Sequence, residues 1–239
     1  MGVVTFPGSN CDRDTEHALT LCGARARLVW HKDRDLSGLD ALVVSGGFSY
    51  GDYLRTGAIA RFSPVMSALL EFAGRGGPVL GICNGFQILQ EAGLLPGAML
   101  RNRRVKFLSQ DVHLRVERAD SCASAGIPPG RVLRMPIAHG DGNFYLPEPE
   151  LDRLEAAGQV VFRYVRADGQ LDPEANPNGS LRAIAGVCNG AGNVVGLMPH
   201  PERAAEAILG SEDGRVVLEA LLSFTAGLRQ GRAATGAAR

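Results

Sequence analysis

The chain has 239 residues, 45% hydrophobic and 21% charged, with 31 glycines and few aromatics, a balance that suits a compact α/β protein and leaves little room for disorder. Its 25 basic residues match its 25 acidic ones, so no net positive field draws it to nucleic acid or to an anionic membrane. The apolar runs, such as DALVVSGG and GGPVLGIC, are far too short for a membrane span, and MGVVTFPGSN lacks the charged start and long apolar core of a leader, which together predict a cytoplasmic protein.

GVVTF reads as a strand ended by PGSN, and CDRDTEHALTLCG as a helix stopped by Gly23. RARLVW and DALVVSGG are two further strands, the second closing on paired glycines. GAIARFSPVMSALLEFAGRGG is expected to be one helix that tolerates Pro64 early, followed by the buried strand PVLGI. Strands and helices alternate, so the expected fold is a parallel sheet between helices. After Arg101 the pattern turns to period-two strands in VKFLSQDVHLRVE, RVLRMPIAHG, QVVFRYV and SLRAIAGVCNGAGNVVGLMPH. DPEANPNGS is a polar loop, DGRVVLEALLSFTAGL a closing helix, and RQGRAATGAAR a frayed tail. With no internal repeat and no linker, a single domain over residues 1–228 is expected, with a flexible tail at 229–239.

Cys11, Cys22, Cys83, Cys122 and Cys188 are odd in number and hold no C-x-x-C pair, and the five histidines show no metal-ligand spacing, so neither a disulfide framework nor a metal site is expected. Cys-Asn-Gly occurs twice, at 83–85 and at 188–190. At the first, Gly81, Cys83 and Gly85 form G-x-C-x-G between a buried strand and the helix FQILQEAG, the layout of a nucleophile elbow with Cys for Ser. Such a turn lifts the thiol clear of the sheet and sets it beside a helix N-terminus. Cys188 is followed by a glycine-rich turn into another strand, which makes it a hairpin residue; Cys11, Cys22 and Cys122 read as buried or loop thiols.

A thiol nucleophile needs a base oriented by a carboxylate. MPHPERA supplies His200 and Glu202 just beyond a strand, held by Pro199 and Pro201. For a tetrahedral oxyanion, the backbone N–H groups of Gly47 and Asn84 are the candidate donors.

With G-x-C-x-G-x-Q, a GG turn before it and H-P-E near the C-terminus, the chain resembles the class I (triad) glutamine amidotransferases. PGSNCDRD, GGFSYGDYLRTGAIARF, GICNGFQILQEAGLLPGAM and HGDGNFY extend the resemblance to that family's small separate glutaminase chains of purine synthesis. It implies a flavodoxin-like three-layer α/β sandwich around a mostly parallel sheet with additional antiparallel strands. It further implies that Cys83 attacks the side-chain amide of L-glutamine, His200 relays the proton and Glu202 orients His200. Ammonia would pass to a large synthetase subunit that uses ATP and Mg, together with a small bridging subunit, to convert formylglycinamide ribonucleotide to the amidine; this chain would hold no cofactor. Gln87, one helical turn after Cys83, is positioned to hold substrate, and Tyr50, Arg55 and His139 sit in polar loops suited to glutamine or the partner. Ser45 stands where proline commonly precedes the paired glycines, and the first strand is short. Three other readings stand beside this one: another α/β cysteine hydrolase, an amidotransferase serving a different synthetase, and a scaffold with a relict site.

Overall fold

The computed structural model describes residues 1–236. Its first part alternates as the sequence predicts: β1 (Gly2–Thr5), α1 (Asp12–Leu21), β2 (Arg27–Trp30), β3 (Leu42–Val44), α2 (Pro64–Gly74), β4 (Val79–Ile82) and α3 (Asn84–Glu91). The second part adds β5 (Ala98–Leu100), β6 (Leu108–Val116), β7 (Val132–His139), β8 (Asn143–Tyr145), α4 (Glu148–Ala156), β9 (Val160–Val165), β10 (Ile184–Cys188), β11 (Val194–Leu197) and α5 (Asp213–Gly236).

One nine-stranded sheet runs in the order β2-β1-β3-β4-β11-β10-β9-β6-β7. From β2 to β11 every pairing is parallel, and from β11 through β7 every pairing is antiparallel. Burial follows this division. β1, β3, β4 and β11 are buried at every residue, as strands covered on both faces must be, whereas β7 alternates along its length with one face towards solvent. The chain leaves β1 towards β2 on one side and returns through β3 towards β4 on the other. Right-handed crossovers therefore place α1 and α2 on opposite faces, and a crevice opens at the carboxyl ends of β1 and β3.

Several elements depart from the sequence reading. The helix expected to run through Pro64 is broken: a 3-10 turn at Ala60–Phe62 is followed by extended Ser63 (φ −65°, ψ 146°), and α2 starts at Pro64. The proline ring disfavours helical backbone at the residue before it and is well suited to the first helical position. Helix α4 and the two-stranded β5–β8 sheet were not anticipated. The α4 segment opens on Pro147 and Pro149, which at a helix start are punctuation rather than breakers. α5 continues to Gly236, past the expected boundary at 228, while 237–239 of the expected tail lie outside the described residues. The short first strand is paired on both sides and fully buried. The Ser45 hydroxyl donates to the Val4 carbonyl at 3.2 Å, stitching β3 to β1 where a proline could not.

Candidate active site

The loops after β1, β3, β4 and β11 meet at the carboxyl edge of the parallel strands. Cys83 is the residue between β4 and α3, held at φ 50°, ψ −106°, a conformation costly for any side chain with a Cβ. The elbow is over-determined by its surroundings. The Cys83 N–H donates to Leu197 O of β11 at 2.8 Å, and the Gln87 N–H donates back to Cys83 O at 3.2 Å. Gly85 lies so close to β3 that a Cβ there would overlap the Val44 carbonyl oxygen, which is why the residue after the elbow is glycine.

His200 follows β11 and is anchored by its N–H to Pro136 O of β7 at 2.8 Å. Its Nδ1 lies 2.6 Å from Glu202 Oε1, and the two side chains are 2% and 0% exposed. Burial works against a charged ring, but the Glu202 carboxylate, then Cys83 and Cys11, outweigh it and raise the His200 pKa well above the ordinary imidazole range. The other ring nitrogen, Nε2, is buried without a hydrogen-bond partner, and the Cys83 thiol rests on Ala138 O at 3.8 Å. The site thus holds a thiol on a strained turn and an imidazole gripped by a buried carboxylate, with the ring nitrogen facing away from that carboxylate unengaged.

Gly47 sits at φ +144° across an isolated bridge from Ser9, and a Cβ there would lie 2.7 Å from Ser9 Cα. Asn84 opens α3; its Oδ1 accepts the Ser49 N–H at 3.1 Å, and its Nδ2 donates to Gln87 Oε1 at 2.9 Å. Gln87 also donates through Nε2 to Asp141 O at 2.6 Å. Each end of the Gln87 amide thus makes one bond to the protein, bracing the elbow against the β7–β8 loop and leaving a second Nε2 proton and a second Oε1 lone pair.

His139, at the end of β7, is buried with Nδ1 3.1 Å from Asn102 Oδ1. The Asn102 Nδ2 donates to His139 O and Lys106 O, so its Oδ1 is the acceptor and His139 carries its proton on Nδ1. Burial, then the nearby His200 charge, lowers the His139 pKa to about 4, so the ring stays neutral. Tyr50 and Arg55 are turned elsewhere. The Tyr50 hydroxyl joins His31 Nδ1 (2.7 Å) and Ser63 Oγ (2.9 Å), and Arg55 pairs with Glu91 at 2.5 and 2.7 Å on the surface. The loop between them instead contributes Asp52, whose Oδ1 accepts from Asn84 Nδ2 at 3.4 Å. Burial, then the Asp141 charge, raises its pKa to about 6.

The sequence reading missed Cys11 and Arg203 as site residues. Cys11 is the buried thiol it expected, but its place is beside the His200–Glu202 pair: the donor atoms of Cys11, His200 and Glu202 all lie within 4.8 Å of one another. That spacing could admit a metal ion. In this structure the group is held by hydrogen bonds: Arg203 Nη2 donates to the sulfur at 3.0 Å, and His200 Nδ1 lies 2.6 Å from Glu202 Oε1. The available signal was positional, since Cys11 follows β1 as Cys83 follows β4, at the same edge of the sheet.

Residues 1–216 match the CobB/CobQ-like glutamine amidotransferase domain. The chain belongs to that family. It is 58% identical over 223 residues to the phosphoribosylformylglycinamidine synthase subunit PurQ of Synechococcus elongatus, covering 93% of this chain and 97% of that one. It is 57% identical over 222 residues to the PurQ subunit of Gloeobacter violaceus, covering 92% and 96%. Among solved structures, PurLQS from Thermotoga maritima matches with a TM-score of 0.82 at 43% identity, over 93% of this chain and 97% of that chain. A more distant solved structure, from Thermoplasma acidophilum, shares the fold at a TM-score of 0.62, 16% identity and 97% and 96% coverage.

Proposed function

We infer that the chain is the glutaminase subunit of phosphoribosylformylglycinamidine synthase in purine synthesis. The observation that carries this reading is the buried His200–Glu202 pair at 2.6 Å behind a strained Cys83 elbow, in a chain 58% identical to a PurQ subunit. In the reaction, the Cys83 thiol gives its proton to His200 Nε2 as Sγ attacks Cδ of glutamine, the C–N bond breaks, and the amide nitrogen leaves as ammonia with that proton. Glu202 holds the ring by Nδ1 while it is charged. The tetrahedral oxygen is stabilised by the backbone N–H groups of Gly47 and Asn84. Water then attacks the glutamyl thioester, His200 takes its proton, and glutamate leaves with the thiol restored.

Ammonia passes to a synthetase partner, to which the ATP and Mg are assigned, and a small bridging subunit completes the assembly. Exposed Phe48, Tyr53, Leu54, Val105 and Phe107 on the loops after β3 and β5, with Phe48 stacked on Phe107 at 6.5 Å, support a docking face there. No described helix is long and apolar enough to cross a membrane. All five cysteines are free, which supports a reducing, cytoplasmic setting.

The test is glutamate release by the complex reconstituted with its synthetase, using wild type and Cys83→Ala, together with mapping of a glutamine-analogue electrophile. Loss of turnover in Cys83→Ala and a label on Cys83 are expected. Full activity in that variant, or a label on another cysteine, sinks the assignment.

A further inference from the structure

We propose that Cys11 is a positioning residue for the triad: its sulfur holds the Arg203 guanidinium and so keeps that cation off the Glu202 carboxylate, leaving Glu202 to His200. The proposal rests on the Cys83–His200–Glu202 reading and goes beyond it. Three observations on the same cluster carry it.

First, Arg203 Nη2 donates to Cys11 Sγ at 3.0 Å, and the thiol proton goes to Asn10 Oδ1 at 3.2 Å, so the sulfur is an acceptor fixed between two partners. Second, Glu202 uses only Oε1 on His200; Oε2 is buried with no partner. An unpaired, buried carboxylate oxygen close to a guanidinium ordinarily becomes the second half of a bidentate pair, because such pairs are the strongest hydrogen-bonded contacts a carboxylate makes. Third, one donor atom each of Cys11, His200 and Glu202 lies within 4.8 Å of the others, so the acceptor that Arg203 uses sits beside the Glu202 carboxylate. The backbone leaves little slack, since a Cβ on Gly46 would lie 2.9 Å from His200 Cε1 and 3.3 Å from Cys11 Sγ.

The chemical consequence has a definite sign. A guanidinium bound to Glu202 would weaken the pull of that carboxylate on the imidazolium, and His200 would lose its proton at lower pH. The titratable groups around His200 come from several elements. From the β4–α3 elbow comes Cys83, from the end of β7 comes neutral His139, from the segment after β11 come Glu202 and Arg203, and from the start of α1 come Cys11 and, acting on Arg203, Asp14. α5 meets that segment at Gly214, against the Pro201 backbone.

The test uses the reconstituted complex and measures kcat, KM and the pH profile of kcat/KM for glutamine hydrolysis in five proteins: wild type, Cys11→Ala, Cys11→Ser, Arg203→Met and the double variant Cys11→Ala/Arg203→Met. Cys11→Ala is expected to lower kcat about 10-fold with KM within about 2-fold, and to move the basic limb to lower pH, because a small misalignment of the base acts on the chemical step. Cys11→Ser keeps a hydrogen-bonding atom and is expected to keep the wild-type limb. The double variant is expected to regain most of the lost kcat, since no cation remains to reach Glu202. A wild-type basic limb in Cys11→Ala, or a double variant whose loss is the product of the two single losses, overturns the proposal. Cys11→Val fills the thiol's volume without an acceptor and reads the same limb if the alanine variant does not fold. Cys83→Ala and Glu202→Gln run alongside: if both lose turnover as the triad requires while Arg203→Met fails to restore Cys11→Ala, the role of Cys11 alone is rejected, while an active Cys83→Ala rejects the triad itself.

Discussion

The two Cys-Asn-Gly copies carry the same three residues into opposite settings. At 83–85 the tripeptide joins a parallel strand to a helix, with Cys83 at φ 50°. At 188–190 it ends β10 and starts the hairpin into β11. The asparagines differ as much as the cysteines: Asn84 reaches outward to Ser49 and Gln87, while Asn189 accepts the N–H of Val194 at 3.1 Å and donates to Asn193 at 2.9 Å, closing its own turn. The sulfur of Cys188 faces Arg118 at 3.3 Å, and burial raises its pKa despite that cation. A tripeptide is therefore only a set of possible contacts; the strand it ends and the element that follows select among them.

The sharpest way to break this contrast is to remove each thiol. Cys83→Ala is expected to lower glutamine turnover by about 1,000-fold or more, and Cys188→Ala to leave it within about 2-fold, both read as glutamate release in the assembled complex. Comparable losses in the two variants would end the distinction. Next comes the imidazole that only the first copy reaches. Glu202→Gln is expected to cost about 100-fold in kcat and to move the basic limb to lower pH, because the carboxylate that raises the His200 pKa is gone. An unmoved limb would show that Glu202 does not govern His200.

The glycines sharpen the comparison in stability. Gly85→Ala would drive a Cβ into the Val44 carbonyl and is expected to cost about 1–3 kcal/mol, whereas Gly190→Ala meets nothing within 4 Å and is expected to stay within about 0.5 kcal/mol. Chemical denaturation of both variants checks this. The smallest effect concerns the outward reach of Asn84 to Asp52. The folded Asp52 carboxyl holds its proton up to about pH 6 against an ordinary 3.8, so its charge works against the fold as pH rises through that window. Asp52→Asn is expected to raise Tm by about 2 °C at pH 7.5, a figure kept small because the group is only half-buried, and to change nothing below pH 4. An equal shift at both pH values would point away from ionisation.

Much of this was legible along the chain. Buried apolar runs mark β1, β3 and β4, the β3 run closing on paired glycines, because strands covered on both faces have no polar side to alternate. The elbow was readable because glycine, cysteine and glycine at that spacing before a helix have few other uses. His200 was readable from H-P-E following a strand. Less visible were α4, whose prolines resemble loop punctuation, and the break at Ser63, where helical periodicity on both sides of Pro64 disguised two separate elements.

What the sequence alone determined was the alternation of strands and helices and the candidates for nucleophile, base and orienting carboxylate, since each is set by residues a few positions apart. Tertiary structure decided which side chains share the site. It brought Cys11 and Arg203, 192 residues apart, onto the buried His200–Glu202 pair, turned Tyr50 and Arg55 away and engaged both ends of Gln87. The physical reason is that contacts across the carboxyl edge depend on strand order, and β1, β4 and β11 become neighbours or near neighbours only when the sheet is assembled.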